Sequence, residues 1–265
     1  MIRRFALWFA IPAVLMVGGC RRNAPNPESS NGGGPVPAAS RAPMIDQATA
    51  GSISGVVHFR GKAPERIKID MSADPACAMA ATEPGGTNYT EQYVVTGGML
   101  ANVFVYVKSG IQPWSAPFDA AAVVMDQKGC RYVPHVIGVQ QGGKVEYRNS
   151  DPATHNVHTL PQDAANHSVD VSEMPGGEPQ TETFHSPELM IPVRCNNHPW
   201  MQAFINVAPN GFFAVTGPDG SFTLHGLPPG TYTVAAVHEK LGEQDLQVTV
   251  PAKSTAKADF TYSAK

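Results

Sequence analysis

Leu189-Met190-Ile191-Pro192-Val193-Arg194-Cys195-Asn196-Asn197-His198-Pro199-Trp200-Met201 is the stretch on which the reading of this chain turns. Leu189, Met190, Ile191 and Val193 make an apolar run that reads as a strand, and the loop behind it spaces a thiol, an imidazole and a thioether at three-residue intervals. Thiolate and thioether are soft donors that select copper, and imidazole suits both its oxidation states. The loop can therefore supply three ligands of a copper site with two histidines, one cysteine and a weak thioether. The second histidine has to come from a neighbouring strand, because one short loop cannot surround an ion. His155, in Asn149-Ser150-Asp151-Pro152-Ala153-Thr154-His155-Asn156-Val157-His158, is the candidate.

Upstream of His155 the pattern is of short strands. Ala122-Val123-Val124-Met125 is one, Val136-Ile137-Gly138-Val139 another, Gly142-Gly143 reads as a tight hairpin, and Lys144 to Asn149 as the returning strand that delivers the chain to His155. A polar segment, Asp163 to Thr183, separates this unit from the ligand loop, and Phe204-Ile205-Asn206-Val207 closes the sheet. Nearer the start, Ile53, Val56, Val57 and Phe59 predict a strand ending at Arg60-Gly61-Lys62. Ile67 and Ile69 predict the start of another, residues 71–92 read as irregular, and 101–107 alternate as a half-buried strand should. Pro113 to Pro117 breaks the pattern, and the last stretch, 209–265, has room for about four strands. With 25 Gly, 24 Pro and 15% charged residues, and no long 3.6-residue apolar period, the fold class expected is all-β.

The segment from the Lys144 strand to His155, followed by a strand leading into Cys-x-x-His-x-x-Met, resembles the cupredoxins of the amicyanin and plastocyanin kind; it is most similar to the amicyanins, whose short ligand loop has this spacing and a Pro after its His, as Pro199 follows His198 here. The resemblance covers about 118–208. It implies a Greek-key β-sandwich and one type 1 copper ion held by His155, Cys195, His198 and Met201, with Met201 as the long axial ligand. It also implies that Asn156 ties the two ligand segments together by a hydrogen bond beside Cys195. Pro199 stiffens the loop, and Trp200 shields the site or lines an apolar patch around an exposed edge of His198. A lone Cys-x-x-His also occurs in zinc sites, but His155-x-x-His158 with Met201 suits zinc poorly. His135 is expected near the copper end without binding the metal, and His158 outside the ligand set.

Gly220-Ser221-Phe222-Thr223-Leu224 through Leu227-Pro228-Pro229-Gly230-Thr231-Tyr232-Thr233-Val234 resembles the second half of a carboxypeptidase regulatory-like, transthyretin-like sandwich, and 54–57 through 103–107 resembles its first half. The expected division is 1–19 leader, 20–50 flexible linker, 51–112 N-terminal β region, 113–208 cupredoxin and 209–265 smaller β module. Two arrangements stay open: one sandwich split by an inserted cupredoxin, or an N-terminal extension with a separate C-terminal module.

Arg3 and Arg4, an apolar core from Phe5 to Val17 and then Val17-Gly18-Gly19-Cys20 read as an export signal resembling a bacterial lipobox, which implies lipidation at Cys20. Arg21 stands where an inner-membrane retention signal would have Asp, which favours a periplasmic protein anchored in the outer membrane. Loss of the leader takes the formal charge from −3 to −5, with no basic stripe, so no nucleic-acid partner is expected. Of the four cysteines, Cys77 and Cys130 remain as a pair that an oxidising compartment would bridge, the alternatives being free buried thiols or further metal ligands. No nucleophile elbow, phosphate loop or dinucleotide fingerprint is present, so no enzyme is expected. The expectation is a membrane-anchored carrier of single electrons between redox partners such as a c-type cytochrome or a dehydrogenase. The alternatives are a copper storage or delivery protein, and a structural or ligand-binding surface protein.

Overall fold

The computed structural model describes residues 44–81, 88–111 and 121–264. The leader, Cys20 and the linker as far as residue 43 lie outside the described residues. The first strands are β1 (Gly51–Arg60), β2 (Val95–Thr96), β3 (Met99–Leu100) and β4 (Phe104–Ser109), with a short helix α1 (Pro75–Ala80) between β1 and β2. The central part holds β5 (Val123–Gln127), β6 (Tyr132–Val133), β7 (Val136–Gln140), β8 (Lys144–Asn149), β9 (His155–Thr159), β10 (Asp170–Glu173), β11 (Gln180–Thr183), β12 (Glu188–Arg194) and β13 (Gln202–Ala208). The last are β14 (Phe213–Val215), β15 (Ser221–Leu227), β16 (Gly230–His238), β17 (Gly242–Val250), β18 (Thr255–Lys257) and β19 (Phe260–Ser263). Among the described residues the fold is all-β apart from α1.

Strands from both ends of the chain share two sheets. One runs β15-β1-β3-β2, with β18 and β19 also paired to β1, and the other runs β14-β4-β16-β17. Alternate residues of β1 point inward, Ile53 and Val57 among them. They meet Val105 and Val107 of β4, Val234 and Ala236 of β16, and Phe222 and Leu224 of β15 in one apolar core. Residues 44–50, which precede β1, are tied to the same sandwich. Ile45 is buried in this core, Asp46 accepts from the Ala48 and Thr49 amides, and Lys253 N donates to Thr49 O. The C-terminal stretch carries six strands where about four were expected; β14, β15, β16, β18 and β19 pair directly with β1 or β4, and β17 pairs with β16.

The central strands form the second sandwich, β10-β9-β12-β13-β7 against β11-β8-β5-β6. Its core takes Ile137, Val157, Ile191, Val193 and Ile205 from one sheet and Met125, Val145 and Tyr147 from the other. The hairpin expected at Gly142-Gly143 is not one. β7 pairs in parallel with β13 (Ile137↔Ile205), β8 pairs in parallel with β5 (Val145↔Val123), and the turn, closed by Gly143 N to Gln140 O at 2.7 Å, crosses from one sheet to the other. Period-2 alternation tells which face of a strand is buried and not which strand lies beside it, and here both strands turn their apolar faces to a common core from opposite sides.

Other departures have local causes. Ile67 and Ile69 begin no strand: Lys68 makes a single bridge to Tyr89 and Ile67 is exposed. The segment read as irregular contains α1, whose cap Asp74 accepts from Ala76 N and Cys77 N, with Pro75 at its first position. β4 is buried on both faces, because Phe104 and Tyr106 enter a third apolar cluster with Val136, Ala208, Ala235 and Val237 that fills the seam between the two sandwiches. Gly138 lies in that seam, and a Cβ there would fall 2.5 Å from a ring carbon of Phe104. The polar 163–183 segment contains the edge strands β10 and β11.

Candidate metal centre

His155 opens β9 at the end of a turn that Asn149 organises. Asn149 Nδ2 donates to Ala153 O and Glu173 O, each at 2.9 Å, and Asn149 Oδ1 accepts from Asp151 N at 3.0 Å. The turn brings Asp151 back under the ring, with Asp151 Oδ2 2.9 Å from His155 Nε2. That carboxylate is itself fixed by the amides of Gly129 at 2.6 Å and Cys130 at 2.7 Å. An ionised carboxylate only accepts, so Nε2 carries the proton and Nδ1 is the nitrogen left to face the cluster.

Cys195 directly follows β12 and Met201 precedes β13, and the loop between them is closed by Met201 N to His198 O at 2.9 Å and Cys195 N to Met201 O at 3.4 Å. This tight closure folds His198 back over the cysteine. His198 Nδ1 lies 3.6 Å from Cys195 Sγ and 3.0 Å from His155 Nδ1. One donor atom from each of His155, Cys195 and His198 falls within 4.8 Å of the others, all three residues being buried. Met201, 1% exposed, is packed in the same core.

Asn156 links the segment of His155 to the segment of Cys195. Its amide donates to Cys195 Sγ at 3.3 Å, its Oδ1 accepts from Asn196 N at 3.2 Å, and its Nδ2 donates to Asp170 Oδ1 and Val171 O. Pro199 is exposed on the loop. The Trp200 ring lies 5.1 Å from that of His198, and its Nε1 donates to Cys130 O at 3.1 Å. His158 turns away from the cluster to Asn196 Oδ1, 3.1 Å away. His135 points away too: its Nδ1 meets Gln202 O at 3.0 Å, and its Nε2 meets Glu239 Oε1 at 2.7 Å, across the seam to the other sandwich.

One expectation is overturned. His198 has no exposed edge: it is 4% exposed, because Asp74 Oδ2 and Cys77 Sγ stand 3.4 and 3.6 Å from its Nε2. The lid is α1 with its cap, pinned to the central sandwich by the Cys77–Cys130 disulfide, whose Cα atoms are 5.5 Å apart. Sequence reasoning missed Asp151 and Asp74 as neighbours of the site. Asp151 left a faint signal, four residues before His155 in a turn, whereas nothing local connects Asp74 to a loop over 120 residues away.

The electrostatics favour a charged thiolate. Burial pushes the Cys195 thiol up, but hydrogen bonds from His155, His198 and the Asn156 and Asn197 amides overcome it and bring it down to about 7. Burial disfavours charge on His155, and hydrogen bonds to Asp151 and Cys195 outweigh that and raise it to about 9. A thiol ready to ionise beside two Nδ1 atoms, sealed from water, is a donor set that fits a soft or borderline ion such as copper.

A model of the carboxypeptidase regulatory-like domain matches residues 196–263. No characterised protein matches the chain by sequence. By structure the chain is similar to the copper-containing nitrite reductase of Thermus scotoductus SA-01, with 18% identity, TM-score 0.31 and 39% of this chain covered; it spans 26% of that enzyme's chain. It is also similar to a mutant amicyanin in its Cu(I) form, at 19% identity and TM-score 0.30, and to a second, reduced mutant at 23% and 0.30. Each of these two alignments covers 39% of this chain and 97% of the amicyanin.

Proposed function

We propose that the central sandwich is a cupredoxin, that His155, Cys195, His198 and Met201 hold one type 1 copper ion, and that the protein carries single electrons. The observation that supports this most is the convergence of Cys195 Sγ with the Nδ1 atoms of His155 and His198 in a buried site that draws the thiol down to about 7. Copper, when bound, supplies a one-electron couple. The chain's own residues hold the donors in place: Asp151 keeps the proton of His155 on Nε2, Asn156 donates to the sulfur and accepts from the loop amide of Asn196, and α1 excludes water from His198. Donors locked before the metal arrives need little rearrangement when the charge of the site changes. In this reading the protein is not an enzyme. It is a periplasmic lipoprotein anchored through Cys20, and it meets a c-type cytochrome or a dehydrogenase at the membrane.

A second reading, copper storage or delivery, is favoured by one observation: the lid over His198 keeps a ligand edge away from the surface where a carrier would exchange electrons. Repeated reductive and oxidative titration of the copper-loaded full chain, with a Cu(I) chelator present, separates the two. A carrier cycles reversibly and keeps its metal; a delivery protein gives up Cu(I) to the chelator in the first reduction.

A further inference from the structure

The Cys77–Cys130 disulfide touches both sides of the ligand cluster. Cys77 Sγ faces His198 Nε2 beside Asp74 Oδ2, and one donor atom from each of Asp74, Cys77 and His198 lies within 4.8 Å of the others. Cys130, Asp151 and His155 meet the same condition on the other side. Each sulfur of the bond thus belongs to its own group of one carboxylate and one imidazole, and in each group that carboxylate meets the imidazole at Nε2, the nitrogen directed away from Cys195.

We propose that in the dithiol form Cys77 and Cys130 bind a second soft metal ion, of the Cu(I) class, with Asp74 and Asp151 at its rim. Two thiolates are soft donors suited to that ion. Reaction with a dithiol reductant breaks the Cys77–Cys130 bond: two electrons and two protons pass to the two sulfurs while the reductant closes its own disulfide. Each thiol then releases its proton as the metal binds. The sulfurs are sealed, at 0% and 1% exposure, so exchange proceeds when α1 lifts. That motion is local, because α1 is six residues long and Cys77 is its one buried residue. The inference rests on the proposed function only for the choice of copper, since the two sulfurs are not those of the first site.

The test counts Cu(I) bound by the full chain without oxygen, in competition with bicinchoninate, before and after reduction with a water-soluble phosphine and desalting. The expected count rises from one to two per chain. Cys77→Ser with Cys130→Ser holds it at one under both conditions. Cys195→Ser, which keeps the native lid, takes it from zero to one. An unchanged count after two new thiols have been titrated overturns the proposal, as does a disulfide that resists reduction until the near-ultraviolet circular dichroism of the fold is lost. An untreated chain that binds no copper, with one ion gained on reduction, defeats the electron-carrier reading and leaves this inference standing.

Discussion

The core between the β1 and β4 sheets is built from apolar side chains such as Ile53, Val57, Leu100, Val105, Phe222, Leu224 and Val234. The core of the central sandwich instead runs into a buried polar end formed by Asn149, Asp151, His155, Asn156 and His198. Burying polar groups costs free energy unless each finds a partner. There each of these does: Asp151 with two amides and an imidazole, Asn149 with two carbonyls, Asn156 with an amide, a carboxylate and a carbonyl. One sandwich is shaped for stability, whereas the other gives up apolar packing to hold a thiol and two imidazoles in fixed places. The first lends the second support through the Phe104, Val136 and Ala235 seam.

Substitutions on the two sides of this comparison should separate stability from metal binding. Leu224→Ala opens a cavity in the apolar core and is expected to lower stability by about 2–5 kcal/mol in denaturant unfolding, with the copper spectrum of the folded fraction unchanged. Gly138→Ala drives a methyl against Phe104 in the seam, and is expected to cost about 1–3 kcal/mol by the same measurement, again with the spectrum unchanged. Asp151→Asn has the opposite profile. It frees the tautomer of His155 and is expected to weaken copper binding by about 10–100-fold in chelator competition. A Leu224→Ala variant with altered metal affinity, or an Asp151→Asn variant without it, would dissolve the distinction between the regions.

The pH dependence sharpens it further. In the metal-free protein Cys195, lowered to about 7, is a thiolate above that pH, while His155, raised to about 9, keeps its second proton up to that pH. A metal needs the thiolate and a free imidazole nitrogen, so binding expels one proton between these values and two below the lower one. Apparent affinity should therefore fall about tenfold per pH unit on acidification through the upper window and about a hundredfold per unit below it. Chelator competition in buffers across this range checks the slope, and a slope that does not steepen below the lower value would mean that Cys195 is not among the donors.

What the sequence made legible was local. Cys195, His198 and Met201 share one loop, so their spacing alone groups them as candidates, whereas the role of Asn156 came from the family resemblance. The strand faces could be read from alternation, but the partners of β7 and β8 could not, because a period of two is the same in a hairpin and in a crossing between sheets. Strands β10 and β11 are edge strands whose mostly exposed Asp170, Ser172, Gln180 and Thr181 carry no apolar pattern. The lid was illegible for another reason. Asp74 and Cys77 reach His198 only because segment 69–81 folds into the core of the central sandwich, through Ile69, Met71 and Cys77.

The most direct test is to add Cu(II) to the full chain and to its Cys195→Ser variant, and to record visible absorption and electron paramagnetic resonance. An intense thiolate-to-copper charge-transfer band in the native chain, with the narrow copper hyperfine splitting of a type 1 site, both lost in the variant, is the predicted result. A folded native chain that binds Cu(II) without that band, or the same spectrum from both proteins, would contradict the assignment of Cys195, His155 and His198 as the metal centre.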